Sequence, residues 1–248
     1  MLTNLTKDID NIVWWIPFKK LRNSIRNILN FNLNYKLNNI NNNIQNNNDE
    51  LKFLLTDNEI NEFSNAVRNC SLYLEFGAGG STYYVLKNTK SVVISVESDL
   101  NWINYLRRNL FIQSMEIFNR LKFYYVNIGN IYSLGYPYKF SHIYDNQYKD
   151  YYSEVFSIFS QQSNQIDVVF VDGRFRVACV LNTILHLSKN KNLTIMIHDF
   201  FDREYYHTVL NFLELIKQTD NLGIFKIKDN VNFEEVKELL KKYYYDFR

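Results

Sequence analysis

Only seven glycines occur in the 248 residues, and three of them fall within four positions, at Gly77, Gly79 and Gly80. The run Glu75-Phe76-Gly77-Ala78-Gly79-Gly80-Ser81 follows Ser71-Leu72-Tyr73-Leu74, which is short and apolar as a buried strand is, and precedes Thr82 to Lys87, which opens a helix. Glycine loses more backbone freedom on folding than any other residue. A chain this sparing of it therefore places it where the backbone takes positive φ or where something must approach closely. A strand, a glycine turn and a helix N-terminus in that order leave free N–H groups at the positive end of the helix dipole, with no side chains in front of them. This unit points to an α/β architecture with a ligand cradle at a strand end.

The alternation continues along the chain. Thr56-Asp57-Asn58-Glu59 has capping-box spacing and predicts a helix to about Asn69. Residues 91–97 read as a second strand ending on Glu97, and Asp99 caps a helix to about Leu110. Leu121 to Asn127 is a third strand. A long loop over 128–147 carries Gly129, Gly135 and Pro137, with a short helix near 148–160 after it. Ile166 to Val171 is the fourth strand, with a helix from Arg174 to Leu187, and Asn192 to Ile197 is the fifth, with a helix predicted from Arg203 to Lys217. Leu222 to Lys228 is the sixth strand and Asn232 to Tyr244 a final helix. Apolar strands alternating with helices predict a doubly wound, mostly parallel, Rossmann-like sheet of six or seven strands with helices on both faces. No seventh strand is evident after residue 228.

This domain is expected to occupy 51–248. Residues 31–50 are rich in asparagine and read as a linker. Residues 1–30 form a basic amphipathic extension, with Trp14, Trp15, Ile16, Phe18, Leu21, Ile25, Ile28 and Leu29 apolar and Lys19, Arg22 and Arg26 at helical spacing. Two readings are open for it: peripheral contact with an anionic membrane surface, or packing on the domain or on a second copy. A net charge of +2 gives no field that would make nucleic acid the default partner. Cys70 and Cys179 lie far apart, without CxxC or histidine spacing, which argues against zinc or a disulfide and suits a reducing cytosol. Residues 1–30 lack the pattern of a secretion signal, and no apolar run is long enough to span a bilayer. The expected location is cytoplasmic, with any membrane contact at the inner face.

In a doubly wound sheet the ligand lies beyond the carboxyl ends of the strands, at the switch point. Those ends carry Glu75 with the glycine turn, Glu97, Asn127 with Gly129, Asp172 with Gly173, and His198 with Asp199. Glu97 stands about twenty residues beyond the turn, where an acid accepts hydrogen bonds from ribose hydroxyls. A dinucleotide site normally has a third glycine where Thr82 stands, and Glu75 would repel a pyrophosphate. Glu75 suits instead the cationic amino group of S-adenosylmethionine. An NAD-dependent oxidoreductase is thereby disfavoured, while a non-catalytic nucleoside-binding module stays open.

Glu75-x-Gly77-x-Gly79-Gly80-Ser81 followed by Ser95-Val96-Glu97-Ser98-Asp99 resembles the first two motifs of class I S-adenosylmethionine-dependent methyltransferases, over roughly residues 55–220. The resemblance implies that Glu75, Gly77, Ala78, Gly79, Gly80 and Ser81 cradle the methionine portion. It further implies that Glu97 and Ser98 bind the ribose, that Asn127 (often Asp in the family) lies near adenine, and that Asp172 borders the cofactor. Val171-Asp172-Gly173-Arg174-Phe175-Arg176 with His198-Asp199-Phe200 is similar to a VDGRFR…HDF pattern of bacterial methyltransferase-like proteins, several associated with surface-polysaccharide biosynthesis. The run from Trp15 to Arg22 is also similar to a segment preceding surface-glycan enzymes. These likenesses imply O-methylation of a sugar or nucleotide-sugar hydroxyl in the synthesis of a capsule or lipooligosaccharide.

Methyl transfer to oxygen needs an in-line nucleophile and a base for its proton. His198 is a base suited to neutral pH, and Asp172 and Asp199 are the other candidates. The same two carboxylates are alternatively ligands for Mg²⁺, which would acidify a diol. Arg174 and Arg176 open a helix where the dipole prefers acids, which suggests, with Arg203, recognition of an anionic part such as a nucleotide diphosphate. Seven tyrosines from Tyr132 to Tyr152, Tyr136 among them, offer rings and hydroxyls to a sugar, on a loop placed to act as a lid.

Overall fold

Runs of Val, Ile, Leu and aromatic residues form the strands, and polar side chains cap four of the described helices. The computed structural model describes residues 51–132, 135–137, 140–158 and 165–248. The extension at 1–30 and the linker at 31–50 lie outside the described residues. The helices are α1 (Asp57–Val67), α2 (Gly80–Asn88), α3 (Leu100–Leu106), α4 (Leu110–Ile117), α5 (Asp145–Ile158), α6 (Arg176–Leu187) and α7 (Phe233–Tyr243). The strands are β1 (Leu72–Phe76), β2 (Val92–Glu97), β3 (Leu121–Tyr125), β4 (Ile131–Tyr132), β5 (Tyr136–Pro137), β6 (Val168–Val171), β7 (Thr194–Ile197), β8 (Leu213–Thr219) and β9 (Leu222–Ile227).

Seven of these strands make one sheet in the order β3-β2-β1-β6-β7-β9-β8. The first five positions are parallel neighbours. β9 runs antiparallel to β7, and β8 antiparallel to β9. β1 pairs with β2 on one side and β6 on the other, so strand order reverses there and the crevice of the switch point opens at its carboxyl end. Helices cover both faces. Phe63 and Val67 of α1, Val85 and Leu86 of α2 and Ile112 of α4 pack on one face. Tyr151 and Val155 of α5, the apolar side of α6, and Val236 and Leu240 of α7 pack on the other.

Two caps are those the sequence predicts. Thr56 and Glu59 close their reciprocal box on α1, and Asp99 accepts from the Asn101 and Trp102 N–H groups at the start of α3. The helix expected from Asp99 to Leu110 ends at Leu106, and Asn109 caps a second helix, α4, by accepting from the Phe111 and Ile112 N–H groups. The loop over 128–147 contains the small hairpin β4–β5.

The helix predicted from Arg203 to Lys217 does not form. A 3₁₀ segment over Glu204–Asn211 is followed by β8, which pairs antiparallel with β9. Tyr206 and Val209 have helical spacing and are buried, but the pattern ends there. Asp220 takes the left-handed conformation (φ 48°) that reverses the chain between Thr219 and Leu222. Pairing with β9 thus overrides a helical periodicity only one turn long, and the seventh strand lies before residue 222. As an edge strand, β8 is largely solvent-exposed and carries Glu214 and Lys217, and its register shifts between Leu215 and Lys217.

Candidate functional site

The chain leaves β1 at Phe76 and turns at Gly77, whose φ of +100° disfavours any residue with a side chain. A Cβ there would also lie 2.7 Å from the Gly173 backbone at the end of β6. Two strand ends therefore meet glycine against glycine. At Gly79 a Cβ would meet nothing within 4 Å, so the turn opens to free space where α2 begins. The Gly79 N–H donates to Thr82 Oγ1 (2.9 Å), which fixes the first turn of the helix.

Two carboxylates brace this turn. Glu75 lies fully buried beneath it and accepts from Ser81 Oγ (2.7 Å), Tyr73 Oη (3.1 Å) and Thr82 Oγ1. Burial pushes its pKa up to about 7, while those hydroxyls pull the other way. Glu75 and Ser81 are expected to face a ligand; instead they bond to each other under the turn and hold its shape. Glu97, at the end of β2, accepts from the N–H groups of Ala78 (3.0 Å), Ser98 (2.6 Å) and Asp99 (2.9 Å). Burial raises its pKa, and the three N–H bonds oppose the rise. Trp102 Nε1 donates to Ala78 O (2.7 Å), tying α3 to the turn. Beside Glu97 lies a cleft of about 620 Å³ lined by Ser98, Asp99, Tyr125, Asn127 and Gly129. Ser98 and Asn127, named from sequence, thus line one opening, with Glu97 buried next to Ser98.

The ends of β6 and β7 carry a second cluster. His198 Nδ1 lies 3.0 Å from Asp172 Oδ1, and Nε2 lies 3.6 Å from Asp199 Oδ1 and 3.8 Å from Glu59 Oε2. The Arg176 side chain, only 4% exposed, bridges Asp172 (3.0 Å) and Asp199 (3.3 Å). It also donates to the backbone oxygens of Gly173 (3.1 Å), His198 (2.6 Å) and Asp172 (3.2 Å). Arg203 pairs with Asp199 at 2.7 Å. The sequence-based expectation for Arg176 is therefore corrected: its donors are engaged inside the chain, and it positions the two acids instead of meeting an anionic ligand. Burial would raise Asp172, but the His198 bond and the Arg176 charge hold its carboxyl below the usual range. Burial would lower His198, but the bond to Asp172 and the charges of Asp172 and Asp199 raise it. Asp199 itself stands at φ +53°, an unusual conformation of the kind concentrated at functional sites.

Asp172, His198 and Asp199 offer ligand atoms within 4.8 Å of one another. The donor set nevertheless fits Mg²⁺ poorly. Arg176 and Arg203 already pair with the two carboxylates, and a hard cation prefers oxygen ligands to imidazole.

Two residues of the site carry no functional signal in the sequence, and Tyr151, one of the tyrosines expected to face a sugar, is buried instead. Glu59 reads as a helix cap and is also a neighbour of His198. Trp102 is one aromatic among many. Tyr151 is a buried helix residue whose Oη accepts from the Arg174 N–H (3.3 Å) and abuts Gly173. Tyr136 reaches the site through the β4–β5 hairpin and stacks on Arg174.

No protein-family model matches the chain, and a search of curated proteins finds no match. Among solved structures, the chain is similar to a methyltransferase-like protein from Silicibacter pomeroyi DSS-3, with 24% identity and a TM-score of 0.67, over 79% of this chain and 98% of that one. Two others are a methyltransferase from Geobacter sulfurreducens (12% identity, TM-score 0.42, 78% of this chain and 90% of that one) and an SAH-bound methyltransferase from Podospora anserina (17%, 0.43, 67% and 76%). The first of these likenesses, with the seven-stranded order above, shows a Rossmann-like methyltransferase fold.

Proposed function

We propose that this protein is an S-adenosylmethionine-dependent O-methyltransferase acting on a sugar or nucleotide-sugar hydroxyl in surface-glycan biosynthesis. The observation that carries the donor half is the open turn at Gly79 beside Glu97, a carboxylate aligned by three backbone N–H groups at the edge of a cleft. Glu97 and Ser98 suit ribose hydroxyls and Asn127 suits adenine, while the open face of the turn at Gly79 leaves room for the amino-acid end. When bound, the donor supplies a methyl group on a sulfonium. The Glu97 carboxylate beside the turn favours such a cation over a pyrophosphate.

His198 takes the proton of the acceptor hydroxyl at Nε2. Its Nδ1–H donates to Asp172, which stays anionic, fixes the ring and stabilises the imidazolium that forms. Asp199 is engaged by two guanidinium groups, those of Arg176 and Arg203. The glycan acceptor is supported by the VDGRFR…HDF pattern, whose polar members converge at the ends of β6 and β7. Residues 1–30 are proposed to bring the enzyme to the inner membrane face or to a second copy. Among the described residues, no helix is long and apolar enough to cross a membrane.

Calorimetry with S-adenosylhomocysteine and with NAD tests the donor. Binding of the first is expected, and binding of NAD alone overturns the proposal. Transfer of a labelled methyl group to a panel of sugars and nucleotide sugars tests the acceptor, and EDTA is expected to leave the rate unchanged. Donor binding without transfer to any of them would favour a nucleoside-binding module.

A further inference from the structure

The two arginines that open α6 have opposite surroundings. Arg176 donates to acids and carbonyls on every side. Arg174 is 7% exposed, and its Nη1 is buried with no hydrogen-bond partner among the described residues. Buried donors are almost always paired, and a charged one left unpaired costs more than a neutral one. The side chain is nevertheless firmly placed. Its Cζ lies 3.9 Å from the centroid of the Tyr136 ring, a close cation–π stack that fixes the plane of the guanidinium without satisfying its N–H groups. Tyr136 is held over it by the β4–β5 hairpin. The preceding Gly135 (φ +73°) turns toward the site, where its Cβ would lie 3.5 Å from Ser98 Oγ and 3.9 Å from Arg174 Cγ. Arg174 therefore runs from the end of β6 beneath the hairpin toward the residue after Glu97. At the start of α6 the Phe175 and Arg176 N–H groups donate to the backbone oxygens of Phe247 and Arg248.

We propose that Arg174 is the anion-recognition residue of this site, its Nη1 directed to a carboxylate or phosphate oxygen of a bound ligand and its plane set by Tyr136. Two sources share this chemistry. One is the carboxylate at the amino-acid end of the methyl donor, and this arm rests on the function proposed above. The other is a phosphate of the acceptor.

The test is calorimetry on wild type, Arg174→Gln, Arg174→Lys and Tyr136→Leu, with melting curves to confirm folding. Three probes are used: S-adenosylhomocysteine; 5′-methylthioadenosine, which lacks the amino-acid portion; and pyrophosphate added to protein already mixed with S-adenosylhomocysteine. If the donor carboxylate is the partner, Arg174→Gln weakens S-adenosylhomocysteine by about 10- to 100-fold and leaves 5′-methylthioadenosine unchanged. If the acceptor phosphate is the partner, both nucleosides bind as before and pyrophosphate loses a similar factor. Lysine keeps the charge without the planar fork, so Arg174→Lys is expected between wild type and Gln. Tyr136→Leu is expected to weaken the same probe by a smaller factor. Should Arg174→Gln not fold, the Lys and Leu variants decide alone. Unchanged binding of S-adenosylhomocysteine and pyrophosphate in the folded variants overturns the proposal, as does equal weakening of the two nucleosides with pyrophosphate unaffected. A wild type that binds neither nucleoside defeats the donor reading separately. Pyrophosphate then decides for Arg174: Arg174-dependent binding supports the proposal, and its absence overturns it.

Discussion

The carboxylates at the end of β1 and at the end of β6 are held in opposite ways. Glu75 is enclosed by neutral hydroxyls, and burial dominates, so its carboxyl titrates at about 7. Asp172 faces a guanidinium and an imidazole, and their charges outweigh burial, so its carboxyl stays low and His198 is raised. Neutral donors shape a backbone turn without adding charge beside a cationic ligand. Charged partners instead prepare a base and fix its orientation. The glycine turn is therefore a rigid cradle and the His198 cluster a tuned proton acceptor, joined where Gly77 touches Gly173.

The strongest way to break this division is His198→Asn. Turnover is expected to fall by about 10²- to 10⁴-fold, with affinity for S-adenosylhomocysteine unchanged; an equal loss of affinity would mean the two ends are not separate. Next comes Arg176→Met, which leaves Asp172 and Asp199 facing each other without their bridge. Removing one partner of a buried pair costs about 3 to 5 kcal/mol. Because the acid side chains are 34% and 21% exposed, the lower figure is expected in urea unfolding. A smaller effect comes from Glu75→Gln, read as stability against pH. A carboxyl raised from 4.5 to about 7 on folding contributes stability that is full below pH 4.5 and is lost as the pH rises through 7. That loss is on the order of 3 kcal/mol, and the variant should remove this part of the slope. His198, also raised, loses its contribution as the pH rises through its folded value. Asp172, lowered, loses its own only as the pH falls below 3.8. A slope that survives in Glu75→Gln would assign it to His198. The smallest change is expected from Glu97→Ala, about tenfold in affinity for S-adenosylhomocysteine, measured by calorimetry with turnover at saturating donor preserved.

Much of the fold was legible because its signals are local. The glycine run, the Thr56–Glu59 box, the Asp99 cap and the apolar strands each need only a few neighbouring residues. β8 was not legible, because Leu213 to Thr219 is an exposed edge whose strand character comes from β9; the Thr219-Asp220-Asn221-Leu222 turn was the available sign. In the site, strand-end positions point to Glu97, Asn127, Asp172 and His198 from the sequence alone. Burial decided the rest. Whether Arg174 or Arg176 has a donor to offer depends on partners brought in from distant segments, Tyr136 and Asp199; Glu75 meets neighbours in sequence, Tyr73, Ser81 and Thr82, and only its burial with them shows that it props the turn.

The contact between Gly77 and Gly173 also bears on how such a chain can change over generations. Each glycine leaves no room for a side chain on the other strand end, so a methyl group gained at one position cannot be accommodated by shrinking its partner, which is already as small as a residue can be. Neither position has a compensating second step. Variation in this protein is therefore channelled away from the joint between its two halves and toward the rims, where the β4–β5 hairpin and the residues around His198 can alter what is bound without disturbing how the halves meet.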